Sequence, residues 1–155
     1  MKKTLLILTV LLIAINTFAQ SVSYPEFDRK GEKDVYIKKV NTTDYSTQIT
    51  FVCKNTKSVG HYIFLNPPGH KDAYYIKANG QTYKLLSTQN IANTDGITMA
   101  MPGELVEFSA RFERLPSYTT QFDLIEGSSG SWDFYGVQLK KTETTSSSTT
   151  KFRID

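Results

Sequence analysis

Few residues in this sequence could do chemistry: one cysteine, Cys53, two histidines, His61 and His70, and carboxylates without motif spacing. Cys53 lies in the run Gln48-Ile49-Thr50-Phe51-Val52-Cys53, in phase with Ile49 and Phe51, which predicts a small buried apolar residue. A nucleophilic thiol needs a nearby base and access to solvent, and the local sequence offers neither. A lone cysteine also excludes an internal disulfide and any C-x-x-C redox or zinc motif. His61 opens a strand-like stretch, whereas His70 sits in the loop Pro67-Pro68-Gly69-His70-Lys71-Asp72 and reads as a solvated turn residue. A metal site built on both would need a carboxylate brought alongside by folding, so no metal is expected. There is no G-x-S-x-G elbow, H-E-x-x-H helix or Gly-rich phosphate loop. Asp123 and Glu126, three apart on a strand, point to opposite faces and cannot converge as acid and base; Glu126 reads instead as an acceptor for turn amides or a partner of Arg111 or Arg114. The expectation is a non-enzyme with no catalytic, cofactor-binding or metal-ligating residues.

Aromatic side chains are the stronger candidates for contact with a partner. Tyr74 and Tyr75 are adjacent and face opposite sides of their strand, and Trp132 is the single tryptophan. Such side chains combine a broad apolar face with a polar tip, suited to protein interfaces and to the stacking of sugar rings. The competing reading has Trp132 covering the open end of the core beside Phe134. Tyr74, Tyr75 and Trp132 are therefore the candidate partner-binding residues.

The elements that must position them read as strands. Short runs rich in Val, Ile, Thr, Tyr and Phe recur between turn residues, without helical periodicity beyond the first 19 residues. The pattern predicts about eight strands, including 34–40, 47–54, 61–65, 104–113, 121–126 and 132–140. Ala73 to Leu86 is a hairpin about Asn79-Gly80, the residue pair that supplies the two positive φ angles of a type I′ turn. Residues 87–102 read as a long connection with a turn at Asp95-Gly96, pinned to the core by Ile97 or Met99. Strands of this kind without intervening helices point to two packed antiparallel sheets, an immunoglobulin-like sandwich, with a closed barrel as the alternative.

The first 19 residues have the pattern of a secretory signal peptide: Lys2 and Lys3, an apolar stretch from Leu5 to Ile15, then Thr17-Phe18-Ala19 before a cut at Gln20. The apolar stretch falls short of the roughly 20 residues of a membrane-spanning helix, and no cysteine follows the cut to carry a lipid. A periplasmic or extracellular protein with no membrane span after cleavage is expected. Without its leader the chain keeps 136 of its 155 residues, enough for one domain. Residues 20–33 read as an N-terminal extension, 34–140 as the β-sandwich domain and 141–155 as a flexible Ser/Thr-rich tail ending in Lys151-Phe152-Arg153-Ile154-Asp155. Setting aside Lys2 and Lys3 reduces 18 basic side chains to 16, against 15 acidic ones, which leaves no basic surface for nucleic acid.

Several stretches carry a family resemblance: Asn79-Gly80 with Tyr83-Lys84-Leu85, Asp95-Gly96-Ile97, Phe112-Glu113 with Leu115-Pro116, Phe122-Asp123-Leu124-Ile125-Glu126-Gly127, and Tyr135-Gly136-Val137. Across Asp34 to Lys140 the chain resembles a family of small, largely uncharacterised β-sandwich domains in exported proteins of Gram-negative bacteria. Such a domain often precedes a thioredoxin-like or other functional domain, and the resemblance implies an accessory or binding role without carrying over a catalytic residue. The functional expectation is an exported binding or accessory domain that recognises an envelope protein or a glycan. The alternatives are a structural envelope component docking by strand addition through the C-terminal segment, and a small hydrolase with a site around His61 and His70.

Overall fold

The computed structural model describes residues 19–94, 96–127 and 131–140. The expected leader up to residue 18 and the Ser/Thr tail from 141 lie outside the described residues, as do Asp95 and positions 128–130 of the two turns expected there. The described residues form strands without helices: β1 (Gln20–Ser23), β2 (Arg29–Lys30), β3 (Val35–Thr42), β4 (Ser46–Lys54), β5 (His61–Ile63), β6 (Tyr74–Ala78), β7 (Gln81–Gln89), β8 (Thr98–Ala100), β9 (Leu105–Glu113), β10 (Gln121–Glu126) and β11 (Phe134–Gln138). All but β5 and β8 join one nine-stranded curled sheet, in the order β1-β3-β4-β9-β7-β6-β10-β11-β2. β5 and β8 pair separately as a two-stranded ribbon.

Alternation along the chain explains the central strands. In β4, Thr47, Ile49, Phe51 and Cys53 are buried while Ser46, Gln48, Thr50 and Val52 keep an outward face. β9 pairs with β4 along its whole length, from Ser46 opposite Glu113 to Lys54 opposite Leu105. The β6–β7 hairpin turns on Asn79 and Gly80, with φ of 52° and 72°, the conformation that their residue types predict. β7 serves both halves of the sheet: its first residues pair with β6, and the stretch from Leu85 to Gln89 pairs with β9. A register shift between Leu85 and Ser87 marks the changeover. The curl brings β4 and β9 over β6 and β11. Phe51 is the central contact, lying 5.0 Å from Phe108, 6.1 Å from Tyr74 and 6.2 Å from Phe134 by ring centroids.

The all-β expectation holds, and the strands differ from it in three places. Residues 20–33, read as an extension, contain β1 and β2, which pair with β3 and β11 and form the two edges of the curled sheet. Strands of four and two residues are too short to leave a period in the sequence. Within 87–102, β7 runs on to Gln89, and β8 pairs with β5. Ile97 and Met99, expected to pin this segment to the core, both point outward, Ile97 with 79% of its surface exposed. Ala100 is buried in their place, because alternation in β8 sets it on the face opposite Met99.

Candidate functional site

The ribbon carries an uninterrupted apolar outer face. His61 stands opposite Ala100, Tyr62 opposite Met99 and Ile63 opposite Thr98, so paired residues share a face. Ile63 and Ala100 turn into the protein, whereas Tyr62 is 62% and Met99 47% exposed. Continuing the same alternation adds Phe64 and Ile97 at one end and Met101 at the other, all half or more exposed. Position 60, across from Met101, is a glycine: a Cβ there would meet the Met99 sulfur at 3.2 Å, so the methionine lies over the space that a side chain would fill. Five adjacent large apolar side chains of this kind offer on the order of 500 Å² to solvent, the scale of a functional patch rather than of scattered surface residues.

Asn55 holds the ribbon in place. Its carboxamide nitrogen donates to the carbonyls of Val59 and Ala100, both at 2.8 Å, and its carboxamide oxygen accepts from the Lys57 N–H at 2.9 Å. The backbone of Asn55 adds bonds to Glu104 and Gly103, so a single buried residue at the end of β4 ties together the segments that lead into both ribbon strands. At the far end, the Ala92 N–H donates to the Thr98 hydroxyl at 2.7 Å and the Leu65 N–H to the Ala92 carbonyl at 3.0 Å.

A cleft of about 260 Å³ opens beside the inner face of the ribbon, where β4 ends. Trp132, Cys53 and His61 line it, together with two acidic residues, Glu32 and Asp34, and two basic ones, Lys54 and Lys57. Trp132 stacks on Phe108 at 5.7 Å, and its backbone is fixed by the Tyr74 hydroxyl, which donates to its carbonyl at 2.8 Å, and by the Glu126 carboxylate, which accepts from its N–H at 3.1 Å. The Thr56 hydroxyl donates to Asp34 at 2.6 Å, and the Lys57 ammonium lies 3.4 Å from His61 Nδ1. Burial pushes the Cys53 thiol above its ordinary range, and the charges of Asp34 and Glu32 push it the same way. The thiol is thus held protonated, the reverse of what a nucleophile requires.

The residues singled out from sequence are dispersed. Tyr74 is in the core, so of the adjacent pair only Tyr75 keeps an outward face, beneath the Lys77 ammonium at 5.6 Å. Trp132 is half-buried, packed against the core with its ring stacked on Phe108, and it lines the cleft. His61 and His70 line different clefts; His70 Nδ1 accepts from the Asp72 N–H at 3.2 Å within its own loop. Glu126 accepts a turn amide as expected, and Asp123 accepts from the Gly136 N–H at 2.8 Å. Among the described residues, no three His, Cys, Asp or Glu side chains gather in a way that could hold a metal ion. Sequence reasoning missed Tyr62, Phe64, Ile97, Met99 and Met101. The available signal was period-two spacing in both segments, Tyr62-x-Phe64 and Ile97-x-Met99-x-Met101, with apolar residues also interleaved on the other face. No family model matches the chain, and neither a curated protein nor a solved structure does.

Proposed function

We propose that this chain is an exported, non-enzymatic binding module that docks a partner protein on the outer face of the ribbon. The observation that carries the reading is the apolar row of Tyr62, Phe64, Ile97, Met99 and Met101, held in the open by a ribbon whose other face is buried. Its exposed area approaches the roughly 800 Å² that each partner contributes to a standard protein interface, once a polar rim is added. Tyrosine, phenylalanine and methionine are the residue types enriched at the centres of such interfaces. No outward position of the row is basic, which favours an apolar protein surface over an anionic lipid surface. The protonated Cys53 thiol and the separation of His61 from His70 support the non-enzymatic part of the reading. The signal-like leader supports export to the periplasm or exterior. An immunoglobulin-like two-layer arrangement of the curled sheet, as in exported Gram-negative β-sandwich domains, belongs to the same proposal; the Phe51 contacts with Tyr74 and Phe134 across the interior support it.

A photoreactive amino acid at position 97, compared with one at the equally open Tyr45 in the β3–β4 turn, tests the docking face in envelope preparations. The expected result is a discrete adduct with one other protein from position 97, absent from position 45 and abolished by Tyr62→Ser with Met99→Ser. Adducts with lipid, with a second copy of the chain, or equally from both positions would overturn the proposal.

A further inference from the structure

The cleft beside the ribbon has a chemistry that the docking face does not use. Its apolar lining is Val35, Cys53 and Trp132, whose ring stacks on Phe108. Two acidic residues, Glu32 and Asp34, and two basic ones, Lys54 and Lys57, complete its charged lining. The opposed charges decide what can bind. A cation that gains from Glu32 and Asp34 is repelled by the two lysines, and an anion meets the reverse, so neither gains a net field. A neutral molecule that both donates and accepts hydrogen bonds can use all four groups, since carboxylates only accept and ammonium groups only donate. If it also presents an apolar face, the indole supplies the matching surface.

A pyranose ring has that combination: hydroxyls around its rim, each both donor and acceptor, and a C–H face that stacks on aromatic rings. The cleft volume of about 260 Å³ matches one such ring with its solvent and falls short of the space for a larger ligand. We propose that this cleft binds a single neutral sugar unit, free or at the end of a glycan, with Trp132 as the stacking platform and Glu32, Asp34, Lys54 and Lys57 as hydrogen-bond partners of the hydroxyls. This site is independent of the docking face, since the row of Tyr62 and Met99 lies on the other side of the ribbon from His61.

Trp132 is the only tryptophan among the 155 residues, so the intrinsic tryptophan fluorescence of the purified protein reports on the cleft directly. Titration with methyl β-glucoside, methyl β-galactoside and N-acetylglucosamine should give a saturable change for at least one of them, with a Kd on the order of millimolar, as befits a ligand of this size. Glu32→Gln and Lys57→Met should each weaken that sugar about tenfold through loss of one charged hydrogen bond. Tyr62→Ser with Met99→Ser should leave the titration unchanged. A linear response to every sugar, saturation by the zwitterion glycylglycine instead, or unaltered affinity in both cleft variants would overturn the proposal.

Discussion

Asn55 makes three side-chain hydrogen bonds, the two to Val59 and Ala100 as donor and the one from Lys57 as acceptor, and it is almost fully buried. No shorter or apolar side chain satisfies those three backbone groups. Asn55→Ala should cost about 1–3 kcal/mol, the penalty of stranding buried polar groups, as measured by urea unfolding. Asn55→Asp should be at least as damaging, because a carboxylate cannot donate to the two carbonyls. Gly136 is a second single-residue constraint, with φ of 66° inside β11. A Cβ built there would come within 2.1 Å of an Asp28 carboxylate oxygen. Gly136→Ala should therefore destabilise by about 1–3 kcal/mol in the same assay, and adding Asp28→Ala should recover the steric part but not the cost of the positive φ. Neither residue announces itself in the sequence. Asn55 is one polar residue after a strand, and its partner Ala100 is 45 residues away; Gly136 is distinguished by its positive φ and by the Asp28 side chain that the segment before β2 brings against it.

At the scale of elements, two faces of similar composition have opposite consequences. Phe51 lies at the centre of the interior, with rings from β6, β9 and β11 around it, and Phe51→Ala should cost about 3–5 kcal/mol through lost transfer energy and the cavity left behind. Tyr62→Ser with Met99→Ser removes as much apolar surface from the ribbon, yet it should shift stability by less than about 1 kcal/mol, because those side chains already face water. Denaturant midpoints of the two variants check the contrast, and equal losses would mean that the row is packed rather than open. The long elements were legible: β4, β9 and the Asn79-Gly80 hairpin each bury one face, and alternation over five or more residues reports it. The ribbon was not legible in orientation. A sequence in which Ile63 and Leu65 alternate with Tyr62 and Phe64 is apolar on both faces, and burial of the larger or more hydrophobic side chains is the natural assumption. At Thr98 to Ala100 that assumption fails, since small Ala100 is the residue with room to sit against the core.

Among the described residues, the curl of the nine-stranded sheet encloses the interior, with β7 shared between its halves and the short β1 and β2 as its two edges, a device that limits edge pairing. Tyr74 spans that interior to the cleft side, stacked on Phe51 and bonded to the Trp132 carbonyl. Burial raises its hydroxyl well above the ordinary value of 10.0, and the nearby Glu126 and Asp133 charges add to the effect. Burial also raises Tyr83, and the hydrogen bond to Asp133 raises Tyr135. In each case the folded state resists losing a proton that the unfolded chain gives up near pH 10. The resulting stability is fully present below that pH and is lost as pH rises toward the folded values. Thermal midpoints should accordingly hold steady up to about pH 9 and fall steeply above about pH 10. Tyr74→Phe should be less stable than the parent at pH 8 by about 1 kcal/mol, the worth of the bond to Trp132. Because phenylalanine has no proton to lose, its alkaline decline should be shallower, and the two curves should converge between about pH 10 and 12. Parallel curves across that range would show that Tyr74 ionises as freely inside the fold as outside it, and that the interior beneath Trp132 is open to water.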